Sequence, residues 1–407
     1  MPKRPALEVF ASGRHAGSIA HSEVEEDSFL FGYREECGGE DAVSLTMPVV
    51  RDQYDSMGTV HPIFEMNLPE GALLEKLRTR FSKTLERFDD LTLLSIVGRS
   101  QVGRLRYALP GDALTDIPPQ DIGTLLAYKG SEDLFAALLE QYATYSGVSG
   151  QQPKVLVRET GVALPKATAR DTTHLVKSFD PREFPELAAN EFFCMRAAAL
   201  SGIPVPEVKL AENRRVLVVR RFDLQTSGEY LGCEDFCVLN GLKSHGRYNG
   251  SYERLAKRIS QFVSPDFERA ALEQLFATVA LSCAVENGDA HLKNFAVVYD
   301  NPEGEVSLAP AYDVVSTTPY VPRDTLALTL AESKAFPERA TLKDFGRTAC
   351  GLGNAHAERV LEQLAVGVDA AIGELHAFAT ANAGFGSAAE ALDRAFTRGL
   401  QRSIRPA

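Results

Sequence analysis

The spacing of hydrophobic positions changes along the chain, and each change marks an element. Near the start, Leu7-Glu8-Val9-Phe10, then Ser12-Gly13-Arg14, then Gly17-Ser18-Ile19 reads as strand, turn, strand. Phe29-Leu30-Phe31-Gly32-Tyr33 and Val43-Ser44-Leu45-Thr46-Met47-Pro48 are further predicted strands. Asn67-Leu68-Pro69-Glu70 leads into a predicted helix over 71–80, with Leu73, Leu74 and Leu77 on one side. A glycine-punctuated turn, Gly98-Arg99-Ser100-Gln101-Val102-Gly103, follows. The stretch from Leu109-Pro110-Gly111-Asp112 to Ile117-Pro118-Pro119-Gln120 reads as a linker, so the first hundred or so residues form a unit of their own.

Beyond the linker, Thr173 to Phe179 reads as a strand carrying one lysine, Lys177, and Asn190-Glu191-Phe192-Phe193 opens a helix that ends near Ser201-Gly202. Val216-Leu217-Val218-Val219 is a strand running into the polar break Arg220-Arg221-Phe222-Asp223. Leu272, Leu275, Phe276, Val279 and Cys283 recur at helical steps up to a break expected at Gly288. Phe295-Ala296-Val297-Val298-Tyr299 and Val306-Ser307-Leu308 are strands. Two late helical patterns, 355–371 and 388–400, carry no evident chemistry, and no internal repeat or low-complexity tract is present.

Between the helix ending near Gly288 and the strand at Phe295 lies Asn287-Gly288-Asp289-Ala290-His291-Leu292-Lys293-Asn294. A polar loop framed by a buried helix and a strand is a place to hold catalytic groups. Asp289 and Asn294 are five residues apart, the spacing at which a kinase catalytic loop sets a proton-accepting Asp and a metal-binding Asn. Asp313, in Pro310-Ala311-Tyr312-Asp313, follows a short strand where a second Mg²⁺ ligand is needed. Ser146-Gly147-Val148-Ser149-Gly150-Gln151-Gln152-Pro153-Lys154 reads either as a loop whose backbone amides approach an anion or as a plain surface turn. It is neither a Walker A motif nor a nucleophile elbow. Lys177 is either a nucleotide-phosphate lysine or a strand-end lysine in solvent, and Glu191 either its partner or a first-turn acid. The strand end at Arg220–Asp223 suits a hinge between two lobes or a simple strand end. Cys233, Cys237 and His245 lack the spacing and the second ligand pair of a zinc site.

Composition narrows the class. The 407 residues suffice for two or three domains, and 44% hydrophobic with 24% charged residues is the balance of a soluble globular protein. No run of about eighteen apolar residues suggests a membrane span, and no apolar segment follows Met1-Pro2-Lys3-Arg4 as in a secretory signal. Six scattered cysteines show no disulfide framework, which predicts a reducing, cytoplasmic location. A net charge of −12 argues against nucleic-acid binding through the field of the whole chain.

In six segments, in order, the sequence resembles the HipA family of serine/threonine kinases, the toxin halves of bacterial toxin–antitoxin modules. Asn67-Leu68-Pro69-Glu70 and Gly98–Gly103 resemble markers of the family's N-terminal domain, and Ser149-Gly150-Gln151-Gln152-Pro153-Lys154 its phosphate loop. Val218–Asp223 resembles its hinge, Asn287–Phe295 its catalytic loop, and Pro310–Asp313 its metal-binding segment.

The resemblance implies an α+β fold, a two-lobed protein-kinase-like core with a small N-terminal α/β domain. Residues 1–110 would form that domain, 111–222 the N-lobe with the phosphate loop, and 223–407 a mostly helical C-lobe. It implies ATP and Mg²⁺ as cofactors. Asp289 would be the catalytic base, with His291 near the transferred phosphate or fixing the loop through hydrogen bonds. Asn294 and Asp313 would be Mg²⁺ ligands. Ser149, Gly150, Gln151, Gln152, Lys154, Lys177 and Lys293 would line the nucleotide, Arg220 and Phe222 would meet the adenine through backbone groups, and Asp223 would lie on the ribose side. Phosphorylation of a loop serine silences relatives, since a dianion cannot share the site with ATP phosphates. Here the position two before Ser149 is Gly147, so Ser149 and Ser146 are the candidates. Implied partners are a HipB-like DNA-binding antitoxin, through which any DNA contact would mainly be made, and a protein substrate such as an aminoacyl-tRNA synthetase. A catalytically silent corepressor and a small-molecule phosphotransferase are the alternatives.

Overall fold

A computed structural model describes residues 6–25, 27–50, 53–81, 88–112, 114, 117–129, 134–150, 152–160, 172–179 and 181–406. The chain divides into two compact units, each assembled from three separate stretches. The first comprises Met1–Ser178, Ala211–His245 and Val297–Val306; the second comprises Phe179–Leu210, Gly246–Ala296 and Ser307–Ala407.

Among the described residues, the first unit opens with a five-stranded sheet, all of whose given pairings are antiparallel. Its strands are β1 (Leu7–Ala11), β2 (Arg14–His21), β3 (Ser28–Tyr33), β4 (Gln53–Met57) and β5 (Leu105–Ala108), in the order β4-β3-β2-β1-β5. Alternation puts Leu7, Val9 and Ala11 of β1 in the core with Ile19 and Phe31, under helices Gly71–Phe81 and Asp90–Val97. Asp89 caps the second helix by accepting from Thr92 N–H at 2.9 Å.

The strand expected at 43–48 is instead a turn closed by a single Ser44–Met47 bridge. Its amides are taken elsewhere: Val43 N–H donates to the Tyr33 hydroxyl at 2.9 Å and Leu45 N–H to the buried Glu234 carboxylate at 2.8 Å. The outer strand is β4, whose polar alternation hides it from a hydrophobicity reading.

A second five-stranded sheet follows. It consists of β6 (Pro119–Gln120), β7 (Lys154–Glu159), β8 (His174–Ser178), β9 (Val208–Leu210) and β10 (Val216–Arg220), in the order β6-β7-β8-β10-β9. The end of the expected linker is thus β6, which pairs in parallel with β7. A small sheet, β11 (Gly232–Asp235), β12 (Ala296–Tyr299) and β13 (Val306–Leu308), runs in that order.

The second unit is mainly helical. Helix Pro265–Ala284 buries Leu275, Phe276, Val279 and Cys283 of the positions the spacing predicts, while Leu272 is half-buried. Helix Leu187–Leu200 starts three residues before the expected Asn190 and packs against helix Asn354–Ala381. The latter is, among the described residues, the one helix long and apolar enough to cross a membrane. Here its Leu361, Leu364, Val368 and Ala371 lie in the core.

Candidate functional site

The catalytic-loop candidate lies in the second unit. Helix Pro265–Ala284 ends before Gly288 because Glu286 turns the backbone left-handed, at φ +52°. The loop that follows is closed on itself. Asp289 N–H donates to Asn287 Oδ1 at 2.9 Å, and the Asp289 carbonyl accepts from His291 N–H and from Asn294 Nδ2, both at 2.8 Å. The five-residue spacing therefore has a mechanical meaning: the Asn294 amide spans the loop and ties back to Asp289. Its nitrogen serves that bond, while its oxygen is the atom suited to a hard cation.

The Asp289 side chain is 44% exposed, and its Oδ1 accepts from the Tyr248 hydroxyl at 2.9 Å. Partial burial, and after it the charge of Asp313, push its pKa up to about 6. The two expected acids thus feel one another, and a divalent cation between them would remove that repulsion, so this pair with the Asn294 oxygen fits Mg²⁺. Among the described residues no group of three or more His, Cys, Asp or Glu is placed to hold a metal; a site completed by phosphate oxygens is of a different kind.

His291 is buried, with Nε2 3.9 Å from Asp289 Oδ1, and Nδ1 has no hydrogen-bond partner. Its ring is held by the edge of Tyr248, centroids 5.1 Å apart. Burial, then the charge of Arg247, lower its pKa to about 4, so the imidazole is neutral at physiological pH. Lys293 is half-buried, and its carbonyl accepts from Tyr312 O–H at 2.8 Å, joining the loop to the Asp313 segment.

Asp313 itself has φ +57°, a conformation that costs a non-glycine residue about 1–3 kcal/mol and persists only where its surroundings impose it. They do so here. The Asn190 side chain clamps Ser316, accepting from its N–H and donating to its carbonyl, each at 2.8 Å. Thr317 N–H donates to the Glu286 carbonyl at 3.1 Å, and Gly288 N–H to Thr317 Oγ1 at 2.9 Å.

The remaining expected residues lie in the first unit. Lys154 of β7 and Lys177 of β8 are partners across the antiparallel pair, and both are buried, at 5% and 3% exposure. Between β7 and the preceding helix, Ser149 and Gly150 are half-buried, with Gly150 at φ +121°. A Cβ there would lie 2.5 Å from Lys154 Nζ. Gln152 is half-buried with Oε1 unpartnered, and Gln151 lies outside the described residues.

Two expectations need correcting. Ser146 is fully buried; its Oγ donates to the Tyr142 carbonyl at 2.8 Å and accepts from Leu156 N–H at 2.9 Å, so it is not presented for phosphorylation. Asp223 is 1% exposed and not placed as a ribose contact. Arg221 binds it through two nitrogens at 3.0 and 2.6 Å, and Gly103 N–H donates to it at 2.6 Å. Arg220 is exposed and Phe222 half-buried at the end of β10.

Tyr248, Asn190 and Glu286 escape a reading by spacing. Asn190 had a weak signal, a polar side chain among the apolar residues of its helix, which also carries Glu191 and Arg196; Tyr248, in a glycine-flanked loop, had none.

Comparison with known proteins decides the family. A model of the HipA-like C-terminal domain matches residues 146–372, and one of the HipA N-terminal domain matches residues 7–108. The chain belongs to the HipA family. Two relatives from Sinorhizobium fredii are named "Putative kinase Y4dM" and "Putative kinase Y4mE". The first is 25% identical over 82% of this chain and 83% of its own length. The second is 28% identical over 68% and 69%. Among solved structures, HipA of Shewanella oneidensis, in a toxin–antitoxin complex with HipB and its operator DNA, superposes with a TM-score of 0.72. The match covers 97% of both chains at 21% identity, a likeness of fold. The α+β class expected from the sequence is the one observed. In HipA terms, the 287–295 loop, Asp313, β7 and β8 fall in the C-terminal domain, and the 98–103 turn in the N-terminal one.

Proposed function

We propose that this HipA-family chain is a cytoplasmic, ATP- and Mg²⁺-dependent serine/threonine protein kinase, the toxin of a toxin–antitoxin pair. Its substrate is a translation component such as an aminoacyl-tRNA synthetase, and it also phosphorylates its own Ser149. The observation that carries this reading is the loop in which the Asn294 amide ties back to the Asp289 carbonyl, with burial, and after it the charge of Asp313, raising the pKa of that acid. Asp289 takes the proton of the substrate hydroxyl. Asn294 and Asp313 hold Mg²⁺, which when bound offsets phosphate charge. Lys154 and Lys177, opposed across β7 and β8, receive nucleotide phosphates. Residues 1–110 serve as the N-terminal domain, 111–222 and 223–407 as the two parts of the kinase core.

The partner we assign is a HipB-like DNA-binding antitoxin, supported by the operator complex of the Shewanella relative. With a net charge of −12, this chain leaves DNA contact mainly to that partner.

Purified protein with Mg²⁺ and γ-labelled ATP should label itself or a synthetase, and Asp289→Asn should lower that labelling by about 10²–10⁴-fold. Equal labelling by the variant would remove Asp289 as the base. Phosphoproteomes of cells making wild type or Asp313→Ala then identify the substrate as the protein whose phosphate is lost.

A further inference from the structure

The residue just before the catalytic loop is held by a part of the chain that lies beyond the family-model match, which stops at residue 372. Glu286 is 1% exposed. Its Oε1 accepts from Arg398 Nε at 2.9 Å, with an Arg402 nitrogen 3.3 Å away. Its Oε2 accepts from Thr318 Oγ1 at 2.6 Å and from a second Arg398 nitrogen.

Both arginines come from the C-terminal helix Gly386–Gly399 and the turn Leu400–Ile404. They reach Glu286 because Gly399 lets the helix touch the end of helix Pro265–Ala284. A Cβ at Gly399 would lie 2.3 Å from the Ala284 carbonyl oxygen.

This carboxylate does more than anchor one helix to another. Through Thr318 it holds the segment following Asp313, and its own backbone carbonyl takes Thr317 N–H. Three residues on from Glu286 stands Asp289. One buried acid therefore fixes both segments whose acids must face each other, and a left-handed backbone at Glu286 and Asp313 is sustained on either side.

We infer that Arg398, seconded by Arg402 and Thr318, is a positioning residue for phosphoryl transfer, acting through Glu286 to set the Asp289 loop against the Asp313 segment. The inference rests on the kinase reading. It assigns the C-terminal helix a part in catalysis that no other contact of that helix requires.

The test compares Arg398→Ala with Arg196→Ala. Arg196 makes a similar two-nitrogen bond to Glu374 in the same unit, at 2.8 and 2.6 Å, with no tie to the loop. Arg398→Ala should lower kcat by about a hundredfold, as misplacement of reacting groups does. KM for ATP should stay within about twofold, the mark of a group that acts on the transition state alone. Arg398→Lys should restore part of kcat, and Arg196→Ala should leave it unchanged. Amide hydrogen exchange should quicken over 287–294 and 313–318 in Arg398→Ala alone. An unchanged kcat in Arg398→Ala, or an equal loss in Arg196→Ala, overturns the inference. If the wild type transfers no phosphate, it is the kinase reading that fails. Exchange then decides the anchor by itself, and equal exchange in both variants overturns it.

Discussion

Asp223 and Arg221 show how a residue in a hinge-like segment can be structural. Both side chains are 2% exposed, and the guanidinium also donates to Thr172 Oγ1 and the Gln101 carbonyl while lying 4.3 Å from the centre of the Tyr230 ring. Removing one partner strands a buried charge, so Asp223→Ala should lower unfolding free energy by about 3–5 kcal/mol in urea titrations. KM for ATP should be unaffected in the fraction that folds; a selective rise in KM would restore the ribose role. A second residue-scale effect concerns acid. Burial, and then the charge of Lys243, lower the His61 pKa to about 4. Between pH 6.5 and 4 the unfolded chain therefore takes a proton that the folded one refuses, and stability falls as pH drops through that window. The loss should be about 3 kcal/mol at pH 4. In His61→Asn, which can still cap the helix at Pro62, the urea midpoint should change less between pH 7 and 4.5. The distinction between acids was not legible in the sequence: Asp223, Asp289 and Asp313 look equally polar as letters. Asp289 was found only because a partner amide stands at a diagnostic interval, whereas the Arg221 clamp on Asp223 draws on Thr172 and Gln101, far away in the chain.

At the scale of elements, helix Pro265–Ala284 was readable because its apolar residues recur at helical steps on the buried side. The 43–47 turn was misread since its apolar residues are buried without forming a strand ladder, their amides being taken by Tyr33 and Glu234. The phosphate-loop candidate shows a further layer. Gly147 N–H donates to the Ser100 carbonyl at 2.9 Å, and Gln101 and Gly147 form a parallel bridge. That links the loop to the glycine-punctuated turn of the N-terminal domain, two segments that the sequence marks separately. A Cβ at Gly147 would fall 2.4 Å from Gln101 Cγ and 2.7 Å from the Ser100 carbonyl oxygen. Gly147→Ser should therefore push the loop off this turn. Limited proteolysis should cut 146–152 faster in the variant, and ATP affinity should fall by about tenfold. A variant as resistant as wild type would show that the turn yields instead.

On the scale of the molecule, charge and connectivity matter more than any one contact. With a net charge of −12, the purified chain alone should show no measurable affinity for duplex DNA at about 0.15 M salt. Binding should appear only when a HipB-like antitoxin is added, with a salt slope belonging to the antitoxin; fluorescence anisotropy at several salt concentrations checks this. Connectivity was the least legible property, because each unit is stitched from three stretches and no composition shift marks the changeovers. It bears on timing. Arg398 stands 112 residues downstream of the acid it grips. While a ribosome is still threading out that distance, Glu286 and the loop after it lack the grip of Arg398. Whatever activity depends on this anchor would reach its full rate only after the helix Gly386–Gly399 has been made.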